Sequence, residues 1–207
     1  MSDFASKVVL ITGAGRGLGA DLALAFAAQG AIVAANDVTP INVDEVVGKI
    51  VKDGGRAKSY IAEIAKKLSL QTLVTKVLED WERIDILVNH ISVQPHFALL
   101  DMDEWDWRAA LDANLTGPFL AMQTVGRVMR ELGGGVMLNV SAPEDNSAAY
   151  TAAKAGLMAL TRAAAKELSA YKIRVNAIAA SSAGSAKVVE RALELCRGEK
   201  TGEVLEA

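Results

Sequence analysis

At 207 residues, 51% of them hydrophobic, the chain is long enough for one substantial core and short for two, so a single domain over residues 1–207 is expected. A net charge of -3 with dispersed Lys and Arg gives no reason for a nucleic-acid or anionic-membrane partner, and no apolar run approaches the ~18 residues of a membrane span. Met1-Ser2-Asp3-Phe4 carries no basic leader, which makes a soluble, cytoplasmic protein the simplest expectation, and with one cysteine (Cys196) and two badly spaced histidines (His90, His96) no disulfide and no metal site is expected.

Val8 to Ile11 is a short apolar run without alternation, the pattern of a strand buried on both faces of a parallel sheet. Leu18, Leu22, Ala25, Phe26 and Gln29 then recur at helical spacing, with Gly30 as the stop. Between strand and helix, Gly13, Gly15, Gly17 and Gly19 free the backbone of Cβ atoms where the chain turns sharply. Such a turn presents N–H groups and the positive end of a helix dipole to a pyrophosphate. A purely steric tight turn is the plain alternative, and the flanking strand and helix favour nucleotide binding.

Thr12-Gly13-x-x-x-Gly17-x-Gly19 resembles the TGxxxGxG pattern of the short-chain dehydrogenases/reductases, and the resemblance extends over nearly the whole chain. It implies one α/β domain, a Rossmann-like, doubly wound parallel sheet in a three-layer α/β/α sandwich, and NAD(H) or NADP(H) as cofactor. The implied phosphate contacts are Gly13, Gly15, Arg16, Gly17, Leu18 and Gly19.

Ala31 to Asn36 reads as the second strand, ending at Asp37, where a carboxylate can accept hydrogen bonds from the adenosine ribose and repel a 2′-phosphate. Arg16 pulls toward the phosphate, but the carboxylate acts directly, so NAD is favoured over NADP. A plain turn or helix-terminus carboxylate is the alternative for Asp37. A helix over Val43 to Val51, a strand over Ala57 to Ile61 and an amphipathic helix over Leu68 to Trp81 follow. The resemblance assigns an adenine contact to Glu63, one methylene longer than the usual aspartate, and counts Ile64 beside it among the cofactor contacts. The fourth strand, Ile84 to Asn89, continues as Asn89-His90-Ile91-Ser92 where relatives have NNAG. Asn89 is expected to brace the strand, and the Cβ of Ser92 to crowd the nucleotide. His90 is read as a structural or cofactor-edge residue rather than a general base.

Trp105 to Met129 is a long helical region, with Pro118 supporting a local break. Asn114, in a segment resembling NxxGxF, is implied to distort the helix and hold a water in a proton relay; an asparagine merely satisfying the break is the other reading. After a strand over Val136 to Val140, Tyr150-x-x-x-Lys154 places two side chains one turn apart on one helix face. A nearby ammonium lowers a phenol from its usual pKa of about 10 toward neutrality. The resemblance makes Tyr150 the acid/base and lets Lys154 also hold the nicotinamide ribose. The family's substrate-binding serine falls on Ala142, with Ser141 beside it and Ser147 as a further substitute across a shortened loop.

Arg174 to Ala179 is the sixth strand, followed by Ala180-Ser181 where Pro-Gly is usual, a last helix over Val188 to Cys196 and a last strand at Thr201 to Leu205. The substrate lid is therefore expected to be reduced or missing, the site open, and the rates modest. Two functions are weighed: an NAD(H)-dependent oxidoreductase acting on a secondary alcohol or ketone, and a catalytically impaired NAD-binding or scaffold subunit pairing with an intact one. The Ala-rich helix from Tyr150 to Ala170 and the region 111–129 are expected to pair in a homodimer or homotetramer.

Overall fold

A computed structural model describes residues 4–141, 147–180 and 184–206. Ala142 and Ser181, on which two of the expected departures rest, lie outside them. Seven parallel strands form one sheet in the order β3-β2-β1-β4-β5-β6-β7. The strands are β1 (Val8–Thr12), β2 (Ile32–Asp37), β3 (Arg56–Ile61), β4 (Ile86–Asn89), β5 (Gly135–Ser141), β6 (Ile173–Ala179) and β7 (Val204–Glu206). Helices α1 (Gly17–Ala28), α2 (Pro40–Lys52) and α7 (Ser185–Arg197) cover one face. Helices α3 (Lys67–Trp81), α5 (Gly117–Glu131) and α6 (Ala148–Leu168) cover the other, with α4 (Glu104–Leu111) packed against α6.

The lack of alternation in β1 follows from this sandwich. Val9 and Ile11 pack with Leu22, Phe26 and Val188 on one face, while Val8 and Leu10 pack with Leu73, Val77 and Val125 on the other. The strand order reverses between β1 and β4, where Thr12 pairs with Asn89. A crevice opens beyond the carboxyl ends of the strands at such a reversal, the usual place for a ligand in this architecture.

The break expected within 105–129 is a π-helical turn over Asp112–Thr116, between the end of α4 at Leu111 and the start of α5 at Gly117. Several element boundaries differ from the sequence expectation by one to three residues. β4 starts at Ile86 rather than Ile84, because Asp85 turns its carboxylate to the Val8 N–H (2.9 Å) and to Arg83 (2.6 and 2.8 Å). β7 starts at Val204 rather than Thr201, since the Thr201 hydroxyl already accepts the Val175 N–H (3.0 Å). α2 begins earlier, at Pro40, whose fixed φ suits a first helical turn.

Candidate nucleotide cleft and active site

A cleft of about 500 Å³ lies at the strand-order reversal, within the size range of small-molecule and cofactor sites. Its walls are the glycine turn after β1, the end of β2 with Asp37, Glu63 and Ile64 after β3, and residues 90–93 after β4. Gly13 has φ +67°, and a Cβ on it would collide with the His90 carbonyl; a Cβ on Gly19 would collide with the Gly13 carbonyl. Only glycine permits these two approaches. Gly17 and Leu18 put the first turn of α1 on the cleft wall, and that turn carries no acidic side chain to offset its dipole.

The Asp37 carboxylate accepts the Gly15 N–H (3.0 Å) on one oxygen and the Thr39 N–H (3.0 Å) on the other. It thus ties the glycine turn to the end of β2 while lining the cleft, as does the exposed Arg16. Glu63 lies on the rim, paired with Lys66 (2.7 Å). Ile64 is buried, with its side chain beneath Gly117, so its share of the wall is small.

Asn89 ends β4 and begins a buried polar chain. Its amide donates to Asn139 Oδ1 (2.9 Å), Asn139 donates to the Thr161 hydroxyl (2.9 Å), and that hydroxyl donates to the Leu157 carbonyl (2.8 Å). Two strands are thereby tied to α6, the helix that carries Tyr150 and Lys154. His90 follows, its N–H donating to the Thr12 hydroxyl (3.0 Å) and its ring packed against Gly19 in α1. Burial, helped by the positive charge of Lys154, pushes the imidazole down to about 4. It is neutral near pH 7.

Asn114 sits in the π-helical turn and is fully buried. Its amide donates to the Ala110 carbonyl (2.8 Å) and also to the Val93 carbonyl (2.7 Å); its side-chain oxygen accepts the Val93 N–H (3.1 Å). It thereby ties the helix break to the segment after β4.

Ser147 caps α6, its hydroxyl accepting the Tyr150 N–H (3.5 Å). One turn into the helix, Tyr150 and Lys154 are both buried, with the ammonium 5.1 Å from the centre of the phenol ring. The ammonium donates to the Ile91 carbonyl (3.4 Å), and burial pushes its pKa down to about 8. Ser141 ends β5 and is buried; its carbonyl accepts the Ala180 N–H (3.2 Å). Among the described residues, the hydroxyl at hydrogen-bond distance from the phenol oxygen is that of Ser92, at 3.4 Å. Sequence reasoning noticed Ser92 only as a lost glycine, because nothing in a linear pattern joins residues 58 positions apart.

The glycine turn, Asp37 and His90 thus line one crevice, and Asn114, Tyr150 and Lys154 lie buried behind it, in contact with residues 91–93. Among the described residues, no group of three metal-ligating side chains is assembled and no helix is long and apolar enough to cross a membrane.

Residues 7–192 match the family model described as short chain dehydrogenase. The chain is 36% identical over 185 residues to a 3-oxoacyl-(acyl-carrier-protein) reductase of Synechocystis, covering 86% of this chain and 75% of that protein. To a D-threitol dehydrogenase of Mycolicibacterium smegmatis it is 34% identical over 177 residues, covering 83% and 68%. A crystallised short chain dehydrogenase from Mycobacterium smegmatis superposes with a TM-score of 0.93 at 28% identity, over 100% of this chain and 93% of that one. The chain belongs to the short-chain dehydrogenase family of oxidoreductases.

Proposed function

We propose that the protein is an NAD(H)-dependent oxidoreductase that interconverts a secondary alcohol and a ketone, with Tyr150 as the acid/base. The observation that carries this reading is the pairing of Tyr150 and Lys154, ring centre to ammonium 5.1 Å, beside a cleft whose glycine turn admits no Cβ at Gly13 or Gly19. In reduction a proton leaves the Tyr150 hydroxyl and one is gained by the substrate oxygen; in oxidation the phenolate is protonated again. The Lys154 ammonium favours the phenolate by charge alone. The nicotinamide, when bound, supplies or receives the hydride at the carbinol carbon. The first turn of α1 and the turn N–H groups suit a pyrophosphate, and Asp37 suits a ribose diol rather than a 2′-phosphate. That position supports NAD over NADP, with Arg16 on the same wall as the opposing charge.

The two relatives' names, a 3-oxoacyl-(acyl-carrier-protein) reductase and a D-threitol dehydrogenase, have in common a carbonyl or carbinol carbon as the reacting centre. Pairing of copies through α5 and α6, with Phe119 exposed on α5 and Tyr171 exposed just past the end of α6, belongs to the same proposal. So does the reduced lid: β6 ends at Ala179 and α7 begins at Ser185.

The test is a titration of the purified protein with NADH and with NADPH, followed by nicotinamide fluorescence, together with turnover of simple ketones by wild type and Tyr150→Phe. Saturable NADH binding with turnover lost in Tyr150→Phe is expected. Binding without turnover would replace the enzyme by a cofactor-binding subunit, and no binding would overturn the nucleotide reading.

A further inference from the structure

Residues 90–93 are held at three of their four positions by side chains from three other elements. The His90 N–H donates to Thr12 in β1, the Ile91 carbonyl accepts Lys154 from α6, and both backbone polar groups of Val93 are gripped by Asn114 from the π-helical turn. A segment pinned on either side of Ser92 has little freedom in where it aims that side chain. It aims the hydroxyl at the Tyr150 oxygen, 3.4 Å away.

The Ser92 hydroxyl donates to the phenol oxygen and accepts from Gln94 Nε2 (3.3 Å), so both its proton and one of its lone pairs have partners. Tyr150 is fully buried, whereas Ser92 is exposed and lines the cleft. The serine is thus the link between a phenol sealed within the fold and the open side of the site. The two serines weighed from the sequence are occupied differently: Ser147 caps α6 with its hydroxyl, and Ser141 lies at the buried end of β5.

We infer that Ser92 is the serine partner of Tyr150: its hydroxyl donates to the phenol oxygen, stabilising the phenolate, and on the cleft side its remaining lone pair meets the substrate hydroxyl, taking that proton as its own passes to the phenolate in oxidation and reversing both transfers in reduction. The first half concerns this chain alone; the second rests on the oxidoreductase reading proposed above. Ser92 then works in place of the serine expected at 141 or 142, and the lost glycine after β4 is a gain of a donor.

The experiment is a pH-jump titration of tyrosinate absorbance, with Tyr150→Phe subtracted so that Tyr60 and Tyr171 cancel. Ser92→Ala should raise the Tyr150 pKa by about one unit, as expected for loss of a hydrogen bond to an anion, and Ser92→Thr should restore it. Ser141→Ala should leave it in place. An unmoved phenol in Ser92→Ala, or a shift in Ser141→Ala instead, would overturn the assignment. The titration uses neither cofactor nor substrate, so it decides the Ser92 bond even if the protein reduces no ketone, an outcome that would count against the oxidoreductase reading alone. Given turnover, Ser92→Ala should lower kcat by about 10- to 100-fold, and Ser92→Thr should recover most of it. Turnover by Ser92→Ala at the wild-type rate would remove the substrate half of the assignment.

Discussion

Asn114 and Val93 are joined by two hydrogen bonds of opposite polarity: the side-chain amide donates to the Val93 carbonyl at 2.7 Å, and the side-chain oxygen accepts the Val93 N–H at 3.1 Å. A peptide unit is thereby held by an amide that mimics a neighbouring strand, beyond the point where β4 ends. Asn114→Ala removes both bonds and the one to the Ala110 carbonyl. The expected cost is about 2–3 kcal/mol, or roughly a 4–10 °C fall in Tm for a chain of this size. Thermal unfolding checks the stability, and a loss of turnover larger than the stability loss would show that the 90–93 segment has moved.

Lys154 sets an upper limit in pH. Its pKa near 8 means that the charge beside Tyr150 disappears in mildly alkaline solution, so the pH profile of ketone reduction should fall above about pH 8. The same shift bears on stability. The folded pKa lies below the ordinary 10.5, so between about 8 and 10.5 the unfolded chain binds more protons and folding gains with rising pH. Lys154→Met should therefore stabilise the protein near pH 7, and its advantage should narrow through that window. Denaturant unfolding at pH 7, 9 and 10.5 measures it.

His90 sets a lower limit. Its folded pKa of about 4 lies below the ordinary 6.5, so its contribution to stability is present above pH 6.5 and is lost as the pH falls toward 4. About 2–3 kcal/mol of acid sensitivity should be carried by this imidazole. In His90→Gln the decline of stability between pH 6.5 and 4 should be visibly shallower than in wild type.

Gly19→Ala tests the glycine turn, its new methyl also coming within 3.0 Å of the His90 ring nitrogen. The new methyl would meet the Gly13 carbonyl, so either the turn or the first turn of α1 has to move. Loss of NADH binding by at least tenfold, with destabilisation of about 2–4 kcal/mol, is expected. Fluorescence titration and thermal unfolding report the two effects separately.

Asp37→Ser tests nucleotide preference. Removing the carboxylate removes the repulsion toward a 2′-phosphate and leaves Arg16 on the same wall. The ratio of NADPH to NADH affinity should rise by about tenfold or more.

The sheet and its helices were legible in the sequence where burial on both faces imposes an unbroken apolar run, as in β1, or where one face repeats at helical spacing, as in α3. The glycine turn and the Tyr150–Lys154 spacing were legible for a related reason: each is a local pattern whose parts lie within one turn of chain. The π-helical turn was only half legible. Pro118 marks a weak point, but the widening is stabilised by Asn114 reaching a peptide 21 residues earlier. The start of β4 was misplaced because Asp85 looks to a neighbouring strand, Val8, for its partner. Ser92 was hidden for the same reason, since its significance comes from Tyr150, which arrives at the site on a different helix.

Asp37 has a consequence for the thermodynamics of recognition. By holding the Gly15 N–H it keeps the turn after β1 in shape within the protein's own framework. Ordering of that turn is then part of folding and not of association, and a ribose hydroxyl arriving at Asp37 trades one donor for another on an oxygen already in place. Association should accordingly show little of the unfavourable entropy of loop ordering, and its heat should reflect an exchange of partners at a rigid wall.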